Sequence, residues 1–144
     1  MIAGAIAKMF LTDADARAVA IRAKLATYAD AKAIFTVALP DDAPFPALLI
    51  AEVGGPAWGC RANTGGVMAV DIQVFNDKDS SRKATWELAH EVWRLIDRHP
   101  LTPYLSDVGF ENWGVIADMP VNTQDGLGFP GYTIKTSVRV LSTA

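Results

Sequence analysis

Hydrophobic and polar positions alternate or recur along this chain in a way that divides it into a few elements. The clearest junction lies between residues 67 and 99, VMAVDIQVFNDKDSSRKATWELAHEVWRLIDRH. Val70, Ile72 and Val74 fall on one face of an extended chain while Asp71 and Gln73 fall on the other, the period of two that predicts a strand with one buried face. Asn76, Asp77, Asp79, Ser80 and Ser81 then form a polar turn, and a helix is expected to start near Ser80 or Ser81, with Asp79, Ser80 and Ser81 as candidate acceptors for the free N–H groups of its first turn. Ala84, Leu88, Val92, Leu95, Ile96 and His99 recur at steps of three and four, which puts them on one stripe facing a core, and Pro100 stops the helix. Trp86 and Trp93, seven residues apart, share a second line, rotated off that stripe toward His90, Arg94 and Asp97.

The same patterns extend through the rest of the chain. Residues 2 to 29 read as helix in two pieces, broken at Thr12 and Asp13, where Asp15 stands three positions after Thr12 as in a capping box. Ile2, Ile6, Met9 and Phe10 mark the apolar line of the first piece, and Ala14, Ala18, Ile21, Leu25 and Tyr28 that of the second. A short strand is expected over residues 34 to 39, followed by the proline-rich LPDDAPFP, which cannot pair as an interior strand. A further strand over 47 to 53 is expected to form a hairpin with 67 to 76, joined by the loop GGPAWGCRANTGG at 54 to 66. Residues 108 to 118 are strand-like, 119 to 131 form a second glycine- and proline-rich loop, and 132 to 141 alternate strictly, with Tyr132, Ile134, Thr136, Val138 and Val140 on one face. Helix, strands, helix, strands predicts an α+β fold in one domain spanning 1–144: a largely antiparallel sheet of about four to five strands with helices packed on one face.

Composition narrows the function classes. A chain of 144 residues with 51% apolar and 20% charged residues builds a sizeable core, and a net charge of -3 without a basic helix or tail argues against a general nucleic-acid-binding surface. Cys60 is the single cysteine, so no intrachain disulfide and no multi-cysteine metal site forms, which fits a reducing compartment during assembly. The apolar start MIAGAIAK has no basic region before it and is interrupted by Lys8, unlike a signal peptide, and no window reaches 18 apolar residues free of charge. A soluble chain is the expectation.

Candidate chemistry is sparse. Cys60 with His90 or His99 is a formal nucleophile and base pair, but no signature of a catalytic cysteine surrounds it. His99 reads as a helix-end residue favoured by the dipole, and two histidines nine apart share no helix face on which to hold a metal. The 54 to 66 loop lacks the Gly-Lys-Ser/Thr ending of a phosphate loop, and Glu87, Glu91, Glu111 and Asp118 are ordinary for a surface. No catalytic residue, cofactor or metal is expected. What remains is four tryptophans, a residue enriched among interface anchors. Trp86 and Trp93 either pack under another part of their own chain or, with His90 and Asp97, form a subunit interface; we expect the interface.

The order of elements, with PFPALLI at 44 to 50, VDIQVF at 70 to 75, the N-D-x-D-S-S-R turn, the helix and a last alternating strand, resembles the tail terminator, or tail completion, proteins of long-tailed bacteriophages and related tail-like particles. The resemblance covers nearly the whole chain and contains no catalytic motif. It implies a structural virion protein that forms a hexameric ring at the head-proximal end of the tail tube, stops tube polymerisation and offers a docking surface to the head-side connector. It further implies assembly in the host bacterial cytoplasm, the major tail tube protein as partner, and a lumen through which DNA passes without specific binding, for which an acidic ring is suited. The two glycine- and proline-rich loops then become the expected partner contacts, with Trp58, Arg61 and Asn63 in one and Gln124, Asp125 and Phe129 in the other, mobile until docking orders them. Another head-tail connector or neck protein is the alternative within this class, and a small cysteine- or carboxylate-dependent enzyme the alternative outside it.

Overall fold

A computed structural model describes residues 2–54, 57–59, 64–77, 81–106, 109–124 and 130–142. The N-terminal helical region is two helices, α1 (Ile2–Thr12) and α2 (Ala16–Lys24), as the break in the apolar series predicts. The cap at the break is Asp15, whose carboxylate accepts from Arg17 N at 2.8 Å, whereas the Thr12 hydroxyl turns back to donate to Lys8 O at 2.7 Å. Helix therefore ends at Lys24, short of the expected residue 29, because Leu25 is extended (φ -76°, ψ 146°) and the chain enters a small hairpin. In that hairpin β1 (Thr27–Tyr28) and β2 (Ala31–Lys32) flank Ala29 and Asp30, both at positive φ (49° and 67°), the combination that a tight two-residue turn requires. Tyr28 thus leaves the helical stripe and stacks edge-on with Phe35 at 5.4 Å.

The expected strand at 34 to 39 is reduced to β3 (Ile34–Phe35), which runs parallel to β4 (Ala47–Gly54). β4 pairs antiparallel with β6 (Thr64–Phe75), the hairpin that alternation predicts, and β6 pairs antiparallel along its length with β9 (Pro130–Ser142). The path of the sheet is β3-β4-β6-β9-β7, where β7 spans Phe110–Ala117. Two more strands lie off this path: β5 (Ala57–Gly59) beside the start of β6, and β8 (Val121–Gln124) beside the start of β9. The sheet therefore has seven strands, mostly antiparallel, rather than four to five. The excess arises because glycine and proline split two rows instead of ending them: β4 and β5 occupy successive stretches of β6, and β7 and β8 successive stretches of β9. Both segments expected to be loops, 54 to 66 and 119 to 131, thus contribute strand to the sheet.

Register brings one face of the sheet together. Leu48 lies opposite Val74 and Ile50 opposite Ile72 across β4 and β6, Ile72 opposite Ile134 across β6 and β9, and Val115 opposite Val138 across β7 and β9. These residues share one buried cluster with Ile6, Met9 and Phe10 of α1, Ile21 of α2, and Leu88, Val92 and Ile96 of α3 (Arg82–Ile96). Full burial of each such side chain contributes roughly 1.5–3 kcal/mol. At the rim of this core the Glu52 carboxylate accepts from Ala3 N at 2.8 Å, which meets one of the free N–H groups at the start of α1.

α3 begins where the turn predicts, with Ser81 as its cap and the Ser81 hydroxyl accepting from Ala84 N at 3.1 Å. Its buried line differs from the expected stripe: Thr85 and Ala89 are buried with Leu88, Val92, Leu95 and Ile96, while Ala84 is exposed. The helix also stops before Pro100 acts: Asp97 is already extended (φ -62°, ψ 119°) and Arg98 follows at φ 61°, leaving His99 outside the helix. A single helical turn, α4 (Thr102–Leu105), replaces the expected irregular connection into β7.

Candidate functional site

The outer flank of α3 carries the aromatic line read from the sequence, and the fold gives its members different tasks. Trp86, His90 and Trp93 follow one another along the helix as tilted ring contacts with centroids 5.6 Å and 5.4 Å apart, and Trp86 meets Tyr132 of β9 edge-on at 5.4 Å. Both tryptophans are half-buried against the core cluster of their own chain. Trp93 donates from Nε1 to Ala117 O at 2.9 Å, Ala117 N donates to Asp97 Oδ1 at 3.0 Å, and Arg98 N donates to Val115 O at 2.8 Å. β7 ends the path of the sheet, so these three bonds occupy backbone groups of Val115 and Ala117 that an edge strand otherwise leaves open to another strand. Of the four expected interface residues, Trp86, His90 and Trp93 come together along the helix, and Trp93 and Asp97 both bond to Ala117.

Beside Trp86 and His90 lies a groove between α2 and α3 of about 480 Å³. Ala16, Arg17 and Ala20 form its α2 side, and Glu87, Glu91 and Arg94 continue its α3 side. Arg17 Nη1 donates to Arg94 O at 3.2 Å, and Lys24 Nζ meets Glu91 Oε1 at 2.7 Å. The second oxygen of Glu91 is buried and has no hydrogen-bond partner among the described residues. Reading the sequence missed the α2 wall. Arg17, Ala20 and Lys24 do fall on one helical line, but only the tertiary arrangement sets that line against α3.

His99, expected to sit against the helix dipole, instead belongs to a polar staple. Its Nε2 lies 3.4 Å from Asp13 Oδ2, its Nδ1 lies 3.0 Å from Pro100 O, and Tyr104 OH donates to the same Asp13 oxygen at 2.7 Å. Arg22 donates to the carbonyls of Phe10 and Asp13 at 2.9 and 2.8 Å and holds the α1–α2 corner itself, while Tyr104 and His99 tie that corner to the segment after α3. The Tyr104 hydrogen bond, then that from Asp15 N, holds the Asp13 carboxyl below its ordinary value. Burial, followed by the bond to Asp13, pushes the Tyr104 phenol up. Among the described residues no group of three or more His, Cys, Asp or Glu is placed to hold a metal ion, and no helix is long and apolar enough to cross a membrane. Cys60 lies outside the described residues, so its relation to either histidine does too.

The two expected contact loops root at different places on the sheet. Trp58 lies on β5 opposite Gly65, and Gly65 and Gly66 pair with Leu141 and Val140 at the C-terminal end of β9. Gln124 lies on β8 opposite Pro130, at the N-terminal end of β9, where Gly131 pairs with Phe75 at the far end of β6. Arg61, Asn63, Asp125 and Phe129 lie outside the described residues. The roots are thus separated by the length of β6, whose 12 residues span roughly 36 Å at about 3.3 Å per residue.

No curated protein matches the chain. Residues 16–128 match the family model for tail completion protein gp17, a stretch that runs from the start of α2 past β8 and so takes in the groove, the α3 seam and the β5–β6 hairpin, but not β9. The chain belongs to this family of tail completion proteins and is a structural component of a bacteriophage tail.

Proposed function

We propose that this protein, as one domain with its helices on one face of the sheet, forms a hexameric ring on the head-proximal end of the tail tube, stops the tube from growing and presents a second surface to the head-side connector. The observation that carries this reading is the placement of the two hairpins at opposite ends of the sheet. A tube grows through heterologous contacts that repeat, and a subunit that matches the tube at one end and a different partner at the other ends that repetition. Membership of the tail completion family supports the same role. The ring is a virion component assembled in the host cytoplasm, and its acidic charge leaves the lumen open to passing DNA.

The test separates the two ends. Purified protein added to polymerising tail tube protein shortens the tubes, as seen by negative-stain microscopy. Trp58→Ala with Arg61→Ala and, separately, Gln124→Ala with Phe129→Ala are expected to give two distinct defects, one in tube capping and the other in connector binding. Tubes of unchanged length with the unaltered protein, or both variants losing the same single activity, would overturn the reading.

A further inference from the structure

We infer that neighbouring copies in the ring are joined by the acidic arm at residues 36–42 of one copy seated in the α2–α3 groove of the next, an inference that rests on the ring reading above. The groove is lined by Ala16, Ala20 and the Trp86 and His90 rings together with two arginines, Arg17 and Arg94. Its charges do not cancel. Glu91 is matched by Lys24 at 2.7 Å, which leaves Glu87 as the other carboxylate on a lining that holds two arginines. The groove therefore combines an excess of positive charge with apolar and aromatic lining, and its volume suits a few side chains rather than a whole element.

The arm between β3 and β4 has the opposite character. Val37 is 90% exposed, the most exposed large hydrophobic among the described residues. Asp41 and Asp42, further along the same arm, are also exposed, and no lysine or arginine occurs between Lys32 and Arg61. Asp42 accepts from Tyr28 OH at 3.2 Å, which anchors the arm, while Asp41 has no partner among the described residues. Pro40, Pro44 and Pro46 limit the conformations of this segment, so less freedom is lost when it docks. An exposed valine followed by two carboxylates thus meets a lining of alanines and aromatic rings that carries two guanidinium groups. Arm and groove are different surfaces of one chain, so the contact is heterologous and repeats from copy to copy, as closure into a ring demands.

Cross-linking with a short bismaleimide in a Cys60→Ser background tests the joint, since Val37 and Ala20 are both exposed. Chains carrying Val37→Cys are expected to link to chains carrying Ala20→Cys, neither is expected to link to itself, and the doubly substituted chain gives a ladder that ends in a closed species. Arg94→Glu lowers the yield at least about tenfold, and adding Asp41→Lys restores it. Rings seen by light scattering that do not link through these positions would overturn the joint and leave the ring standing. Links between two Val37→Cys chains would overturn it in favour of a self-complementary contact. A wild-type chain that caps tubes but never contacts another copy would overturn joint and ring together.

Discussion

The two halves of α3 present the same kind of surface in the sequence and different surfaces in the fold. Toward its C-terminal end Trp93 and Asp97, with Arg98 just beyond, spend their polar groups on Val115 and Ala117 and close the last strand of the sheet. Toward its N-terminal half Trp86, Glu87 and His90 line a groove, and no side-chain hydrogen bond joins any of them to another described residue. An aromatic residue on the outer flank of a helix is therefore not one thing. Where a sheet edge lies within reach it becomes part of the fold, and where the neighbour is only another helix it stays available to a partner.

The sharpest way to break this contrast is Trp93→Ala. It removes a half-buried indole from the core rim and leaves Ala117 O without its donor, and we expect a loss of about 2–4 kcal/mol in urea unfolding. A loss below about 0.5 kcal/mol would make the seam cosmetic and return Trp93 to the interface. Asp97→Ala comes next. With Ala117 N unpaired at an edge strand, the expected cost is about 1–3 kcal/mol, accompanied by faster exchange of the β7 amides. Unchanged exchange at Ala117 would mean that water replaces the carboxylate without penalty.

The staple beyond the seam responds to pH. The Asp13 carboxyl titrates lower in the folded chain than in the unfolded one, chiefly through the Tyr104 hydroxyl, so the folded state binds fewer protons. The stabilisation is then fully present above the unfolded value, near 3.8, and is lost as pH falls through the lower folded value. Tyr104 has the opposite sign: its phenol is held protonated by folding, so that contribution is present below the unfolded value of 10.0 and fades as pH rises through the folded one. Tyr104→Phe is expected to flatten both limbs of a stability-against-pH curve, and an acid limb of unchanged slope would show that Asp13 draws its stabilisation from elsewhere.

Most of the framework was legible because period two and period 3.6 survive folding wherever one face is buried. Val70, Ile72 and Val74, the alternating run from Tyr132, and the cap at Ser81 were placed by pattern and turn chemistry alone. The failures have separate causes. Residues 54 to 66 and 119 to 131 read as loops because glycine and proline lower strand propensity, yet β5 and β8 form there because a long partner strand already offers an unpaired edge. His99 looked helical because the stripe reached it, and the positive φ of Arg98 has no local signal in an arginine. The groove joins Arg17 to Glu91 and Arg94 across most of the chain, and Asp97 found its partner on β7; neither pairing follows from spacing along one helix.

The smallest effect bears on the open half. Lys24 and Glu91 form an ion pair at 2.7 Å with side chains 50% and 37% exposed, so solvent screens most of its Coulomb energy. Lys24→Ala and Glu91→Gln are each expected to shift unfolding by under about 1 kcal/mol, with a coupling in the double-mutant cycle of about 0.2–1 kcal/mol. Glu91→Gln also replaces a carboxylate by an amide where one buried oxygen has no hydrogen bond, which offsets part of the lost pair. A coupling above about 2 kcal/mol would mean that the α2–α3 wall is held as firmly as the β7 seam. The two halves of the helix would then be alike, and the groove would be a structural joint rather than a surface kept for a neighbour.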